Sequence, residues 1–103
     1  MRGDLALLKR LAAVYFEHTP ALLQTIRTAA SSGDMAELQK AAHTLKGSLA
    51  QFAAAETVQN AEQLEGSARD GEVAAARSLA GNLVVEVEQF NGALRQFLNT
   101  IIS

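Results

Sequence analysis

Cysteine and tryptophan are absent from this chain of 103 residues, and proline occurs once. Without cysteine there is no disulfide framework, thiolate nucleophile or cysteine-ligated metal site. Glycine is also sparse, at 7 residues, so the composition is not that of a disordered tail, a collagen-like repeat or a linker. Apolar runs are short and no secretory signal pattern is visible, which predicts a cytoplasmic protein without direct membrane contact.

Strong charge of either sign is also lacking. The chain has 9 basic and 11 acidic residues, a net charge of −2, and only 5% aromatic residues. A nucleic-acid-binding surface usually combines a basic stripe with aromatic residues that stack on bases. The sequence therefore predicts no nucleic-acid partner.

What the chain has in abundance is alanine and leucine, which favour helix throughout. Helical spacing of apolar residues predicts an all-α fold, an antiparallel four-helix bundle with a short additional N-terminal helix. We expect one domain over residues 1–103, and a monomer. Thr19-Pro20, Ser31 to Asp34 and Asp70-Gly71 are the predicted breaks. The predicted segments are about 5–15, 20–30, 35–54, 56–69 and 72–101.

The third segment contains His43, which lies on the side opposite the predicted core stripe. At about 100° per residue, the stripe consists of Leu38, Ala41, Leu45, Leu49 and Phe52. A histidine that packs in the core would lie on that stripe, so His43 is predicted to be exposed. The residues that share its face are Gln39, Lys40, Lys46, Gly47, Ala50 and Ala54.

This face suits phosphoryl transfer better than other histidine chemistry. Imidazole is a nitrogen nucleophile near neutral pH, and the ammonium groups of Lys46 and Lys40 would stabilise the negative charge of a phosphoryl group. Gly47 costs about 1 kcal/mol relative to alanine within a helix, which indicates either clearance for a partner or helix packing. The only other histidine, His18, lies at a predicted helix end and is interpreted as structural. No metal site is expected, and no glycine-rich loop predicts a nucleotide site.

The run His43-Thr44-Leu45-Lys46-Gly47-Ser48 resembles the signature of histidine phosphotransfer (Hpt) domains, and the resemblance covers nearly the whole chain. It implies a four-helix bundle in which His43 accepts a phosphoryl group from a receiver-domain aspartate and passes it to another receiver. Lys46, with Lys40, would stabilise the phosphate, and Gln39, Gly47, Ala50 and Ala54 would form the docking surface. The chain would be a phosphocarrier without a cofactor rather than a self-sufficient enzyme.

The same resemblance implies the partners. Response-regulator receiver domains would supply the Mg²⁺ and most catalytic groups, and a histidine kinase could belong to the same polypeptide. Two departures from the family pattern are Ala53, where glycine is frequent, and Glu65, where some members place glutamine. The carboxylate of Glu65 is expected to repel phosphate, so the role of that glutamine is not assigned to it.

Two alternatives remain open. One is a histidine-bearing substrate domain of a chemotaxis-type kinase, which usually has an acid near the histidine. No acid occurs in the turns of the helix next to His43. The other is a non-catalytic helical interaction module, in which His43 would never carry phosphate.

Overall fold

The computed structural model describes residues 2–53 and 55–102. Within these residues it contains four helices and no strand: α1 (Arg2–Ser32), α2 (Met35–Leu49), α3 (Ala55–Arg69) and α4 (Val73–Ile102). Each helix packs against its neighbours in the chain, and α1 also packs against α4, which closes the ring. Because the connections are short, consecutive helices run antiparallel. The prediction of an all-α bundle is confirmed.

The predicted break at Thr19-Pro20 is wrong. Pro20 lies inside the continuous helix α1, so the chain has no separate short N-terminal helix. A proline within a helix costs about 3 kcal/mol, but packing on both sides of it keeps the helix continuous. Tyr15 and Thr19 before Pro20, and Leu23 and Ile26 after it, are all buried on the core side.

Helix α2 begins as predicted but ends earlier than predicted. The side chain of Asp34 accepts a hydrogen bond from the backbone N–H of Glu37 at 3.1 Å, which caps the start of the helix. Gly33 precedes it with φ of 79°, a left-handed conformation that glycine adopts without strain. The predicted end near residue 54 is wrong, because the helix stops at Leu49 and the chain turns over residues 50–53.

The turn after α2 brings an aromatic side chain onto the core. Phe52 packs against Tyr15, with ring centroids 5.3 Å apart. The Tyr15 hydroxyl donates a hydrogen bond to Asn91 Oδ1 at 2.6 Å, which ties α1 to α4, and burial raises the pKa of Tyr15 to about 12. The contact between Phe52 and Tyr15 stabilises the turn relative to a longer α2. None of the described helices is long and apolar enough to cross a membrane.

Candidate functional site

His43 lies on the exposed side of α2, as predicted. Its side chain is 67% exposed, whereas Leu38, Ala41, Leu45 and Leu49 on the opposite side are buried in the core. The imidazole is therefore held on a rigid helix that is anchored from behind. That position makes the ring accessible to another protein.

Glu65 on α3 is the closest partner of His43, and sequence reasoning did not assign it a role. Its Oε2 lies 2.9 Å from His43 Nδ1, and its Oε1 lies 3.0 Å from Lys46 Nζ. The Glu65 side chain is only 14% exposed. Glu65 lies 22 residues after His43, and this spacing was the signal in the sequence that could have identified it. The expectation that Glu65 repels phosphate considered only the negative charge of the phosphate.

The carboxylate determines which nitrogen of His43 carries the proton. The ammonium of Lys46, and secondarily His43, hold the pKa of Glu65 below its ordinary range, against the opposing effect of burial. An ionised carboxylate can only accept hydrogen bonds, so the 2.9 Å contact places the hydrogen on Nδ1. In the neutral ring, Nε2 is then the nitrogen with a free lone pair.

The two lysines predicted to flank His43 have different environments. The Nζ of Lys46 forms an ion pair with Glu65, and the Lys46 side chain is 27% exposed. Oε1 of Glu65 is buried without a well-aligned hydrogen bond, so this ammonium supplies its neutralising charge. Lys40 is exposed, and its ammonium makes no ion pair with any described residue. Lys46 is thus pre-positioned next to the imidazole, and Lys40 is not.

The surface around His43 includes small residues. A Cβ atom added to Gly47 would meet nothing within 4 Å, so Gly47 is not a residue that packs against another helix. Ala50 at the end of α2 is exposed, and Gln39 is partly exposed. Ala54, the fourth predicted docking residue, lies outside the described residues.

His18 is exposed in the middle of α1, so its predicted location at a helix end is wrong. It lines a groove with Ser48 of α2 and Gln51 of the turn that follows α2. No cluster of three or more potential metal ligands occurs in the part of the chain that the structure describes. Of the two histidines, His43 is the one that has a charged side chain in contact with its ring in the part of the chain that the structure describes.

A family model described as the Hpt domain matches residues 10–101. The chain belongs to the Hpt domain family. Membership implies histidine phosphotransfer in phosphorelays, with response-regulator receiver domains as partners. No curated protein and no solved structure matches this Hpt domain.

Replacing Lys46 with alanine is expected to slow phosphotransfer or shorten the phosphohistidine lifetime about fivefold, without preventing docking. A partly exposed charge pair contributes about 1 kcal/mol, and this effect should weaken as salt rises. Rates and lifetimes of Lys46→Ala and Lys40→Ala, measured at two salt concentrations, test it. Since only Lys46 is held next to the ring, Lys40→Ala should have the smaller effect, and equal effects would contradict the distinction.

Proposed function

We propose that this Hpt domain accepts a phosphoryl group on Nε2 of His43 from a receiver-domain aspartate and passes it to another receiver. The observation that carries the proposal is the contact between His43 Nδ1 and Glu65. It leaves Nε2 as the nucleophilic nitrogen of an exposed ring. Lys46 supplies positive charge beside it, and Gln39, Gly47 and Ala50 form the surface that the receiver contacts.

The transfer step needs no acid or base from this chain. The Nε2 lone pair attacks phosphorus, the Nε2–P bond forms, and the P–O bond of the acyl phosphate breaks. The receiver aspartate leaves as a carboxylate, and we expect the receiver to hold the Mg²⁺. Nδ1 keeps its proton, and the Glu65 carboxylate stabilises the positive charge that develops on the ring. The contribution of the Hpt domain is therefore a positioned nucleophile with matched charge.

A second candidate function is supported by the same contact. A histidine-bearing substrate domain of a chemotaxis-type kinase would have an acid beside the histidine, and Glu65 supplies one from α3. In that function the phosphoryl donor is ATP bound to a kinase. The two functions share His43 and differ in the donor.

Mixing the domain separately with a phosphorylated receiver and with a kinase plus ATP distinguishes these functions. The primary proposal predicts acid-labile phosphate on His43 in the receiver mixture, with NMR showing the linkage at Nε2. Labelling only by the kinase supports the second function. A chain that accepts phosphate in neither mixture behaves as a non-catalytic interaction module and contradicts both.

Replacing Glu65 with glutamine is expected to slow transfer about ten- to a hundredfold, because a hydrogen bond to a charged group contributes about 1.5–3 kcal/mol. The amide keeps the shape of the side chain but lacks the negative charge that stabilises the ring. A time course of transfer from a phosphorylated receiver, quenched at successive times, measures the rate. Glu62→Gln is the matched control, since Glu62 is exposed on the same helix. Equal rates in both variants would remove Glu65 from the mechanism.

A further inference from the structure

Each of the long helices α1 and α4 carries two basic residues at the same spacing. Lys9 and Arg27 lie 18 residues apart on α1, and Arg77 and Arg95 lie 18 residues apart on α4. At 3.6 residues per turn this spacing is about five turns, so the two basic residues of each helix lie on the same side of it, about 27 Å apart. The spacing therefore matches a long binding surface along the bundle.

The contact between α1 and α4 brings these four cations together at two grooves. Lys9 and Arg95 line one groove, and Arg27 and Arg77 line the other. No acidic residue lines either groove in the described part of the chain, although the net charge of the whole chain is −2. We call the four cations and the two grooves between α1 and α4 the basic seam.

The basic seam lies on the side of the bundle away from His43. The contacts of the four helices form a ring, in which the α1–α4 contact is opposite the α2–α3 contact. The pair of His43 and Glu65 joins α2 to α3. A partner on the basic seam therefore leaves the imidazole accessible.

Three of the four cations are held in place by the structure. The Nε of Arg77 donates to a backbone carbonyl near the end of α1 at 2.8 Å, and Arg95 lies 4.5 Å from the centroid of the Phe16 ring. Arg27 forms an ion pair with Glu88 at 2.8 Å in which both side chains are about half exposed, so another carboxylate can compete for it. A guanidinium has five N–H donors, and these contacts leave several of them for a ligand. Cations that are already positioned lose little conformational entropy on binding.

Small and apolar residues form the floor of the basic seam. Ala13 is exposed but short, and a Cβ atom added to Gly81 would meet nothing within 4 Å. These positions allow the backbone of another helix to approach closely, and a helix laid in a groove is a recurrent form of peptide recognition. The buried part of the floor consists of Ala12, Ala30, Ala80, Val84 and Leu98.

We propose that the basic seam binds an acidic amphipathic helix of a partner protein. Carboxylates near both ends of that helix pair with the four cations, and its apolar side chains face the floor. Charge complementarity selects this occupant, because the seam offers cations at both ends and apolar surface between them. A helix of about 20 residues is long enough to span both ends.

Two other classes of anionic partner fit the basic seam less well. Of the eight large apolar side chains that are exposed among the described residues, only Val85 lines a groove of the seam, so few side chains are placed to enter a membrane. Proteins that bind single-stranded nucleic acid usually present aromatic rings to the bases. Phe16, the aromatic residue of the seam, has its ring under Arg95.

Binding of a labelled helical peptide to the full chain, measured by fluorescence anisotropy, tests the proposal. The peptide contains about 22 residues, with two glutamates near each end at the 18-residue spacing of the cations and leucines on the same face. A control peptide of the same composition has its glutamate pairs about nine residues apart, which is about two and a half turns and places them on opposite faces.

The first peptide should bind about tenfold more tightly than the control, because two further ion pairs form at up to about fivefold each. Its affinity should fall as salt rises. Equal affinities of the two peptides, or no binding of the first, would overturn the proposal. This comparison needs no variant of the protein.

A double variant tests whether the peptide lies on the basic seam. Lys9→Gln with Arg95→Gln removes both cations at one end and should weaken binding of the first peptide about tenfold, because the same number of ion pairs is lost. Lys40→Gln with Arg69→Gln is the matched control, since it removes one lysine and one arginine from α2 and α3. Equal losses in two variants of unchanged helicity would show unspecific attraction and contradict the assignment to the seam.

Vesicles of anionic phospholipid and a DNA duplex, used in place of the peptide, test the other two classes of partner. Tighter binding of either than of the peptide would overturn the proposal. His43→Gln should bind the peptide as tightly as the wild-type domain, because the basic seam lies away from that residue. None of these measurements depends on phosphotransfer, so the proposed function is tested separately.

Discussion

Replacing His43 with glutamine is expected to abolish phosphate acceptance and to leave helicity and thermal stability nearly unchanged. The side chain is two-thirds exposed, and substitutions at exposed positions usually change stability by less than about 0.5 kcal/mol. Glu65 keeps its ion pair with Lys46 in the variant, so no buried charge is left without a partner. Phosphate labelling by a receiver, with circular dichroism on the same sample, measures both properties.

The matched control for this experiment is His18→Gln. His18 is the other histidine and is also exposed on a helix, but it has no carboxylate or ammonium partner among the described residues. The control should accept phosphate at the wild-type rate. Labelling that persists in His43→Gln, or phosphate found on His18, would end the hypothesis that His43 is the acceptor.

Replacing Gly47 with leucine is expected to block transfer from a receiver by a hundredfold or more while the bundle stays folded. The proposed attack on a receiver aspartate needs direct contact between the imidazole and the receiver, and a large side chain one turn away would hold the two surfaces apart. A Cβ at Gly47 meets no atom within 4 Å, and leucine gains up to about 1 kcal/mol of helix propensity over glycine. Transfer rates and melting temperatures measure the two effects.

Two controls separate docking from chemistry in this variant. A small donor such as phosphoramidate needs no clearance and should still label His43 in Gly47→Leu. Gly81→Leu places the same side chain at another open helical position and should transfer normally. If Gly47→Leu accepts phosphate from the receiver at the wild-type rate, the receiver does not approach over Gly47.

Local rules were sufficient for the helix that carries the site. Asp34 determines where α2 begins, because its side chain accepts a hydrogen bond from the first turn of the helix. Gly33 in the left-handed conformation ends α1 just before it. Helical periodicity then orients His43 away from Leu38 and Leu45. A rotation of 100° per residue is a property of the backbone, so this orientation was predictable from the order of residues alone.

Packing between helices decided what local rules could not. Pro20 is a strong local signal for a break, yet burial of Tyr15 and Ile26 on either side of it outweighs that signal. The end of α2 at Leu49 depends on the contact of Phe52 with a ring from α1. In both cases the opposing free energy comes from packing against another helix, whose residues are distant in sequence.

By itself, the sequence determined the helical class, the start of α2 and the exposure of His43, because each depends on neighbouring residues within one helix. Only the tertiary structure placed the Glu65 carboxylate 2.9 Å from the His43 ring and 3.0 Å from Lys46. Such pairings depend on the relative rotation and length of helices that touch in space, and these are set by the side chains packed between them.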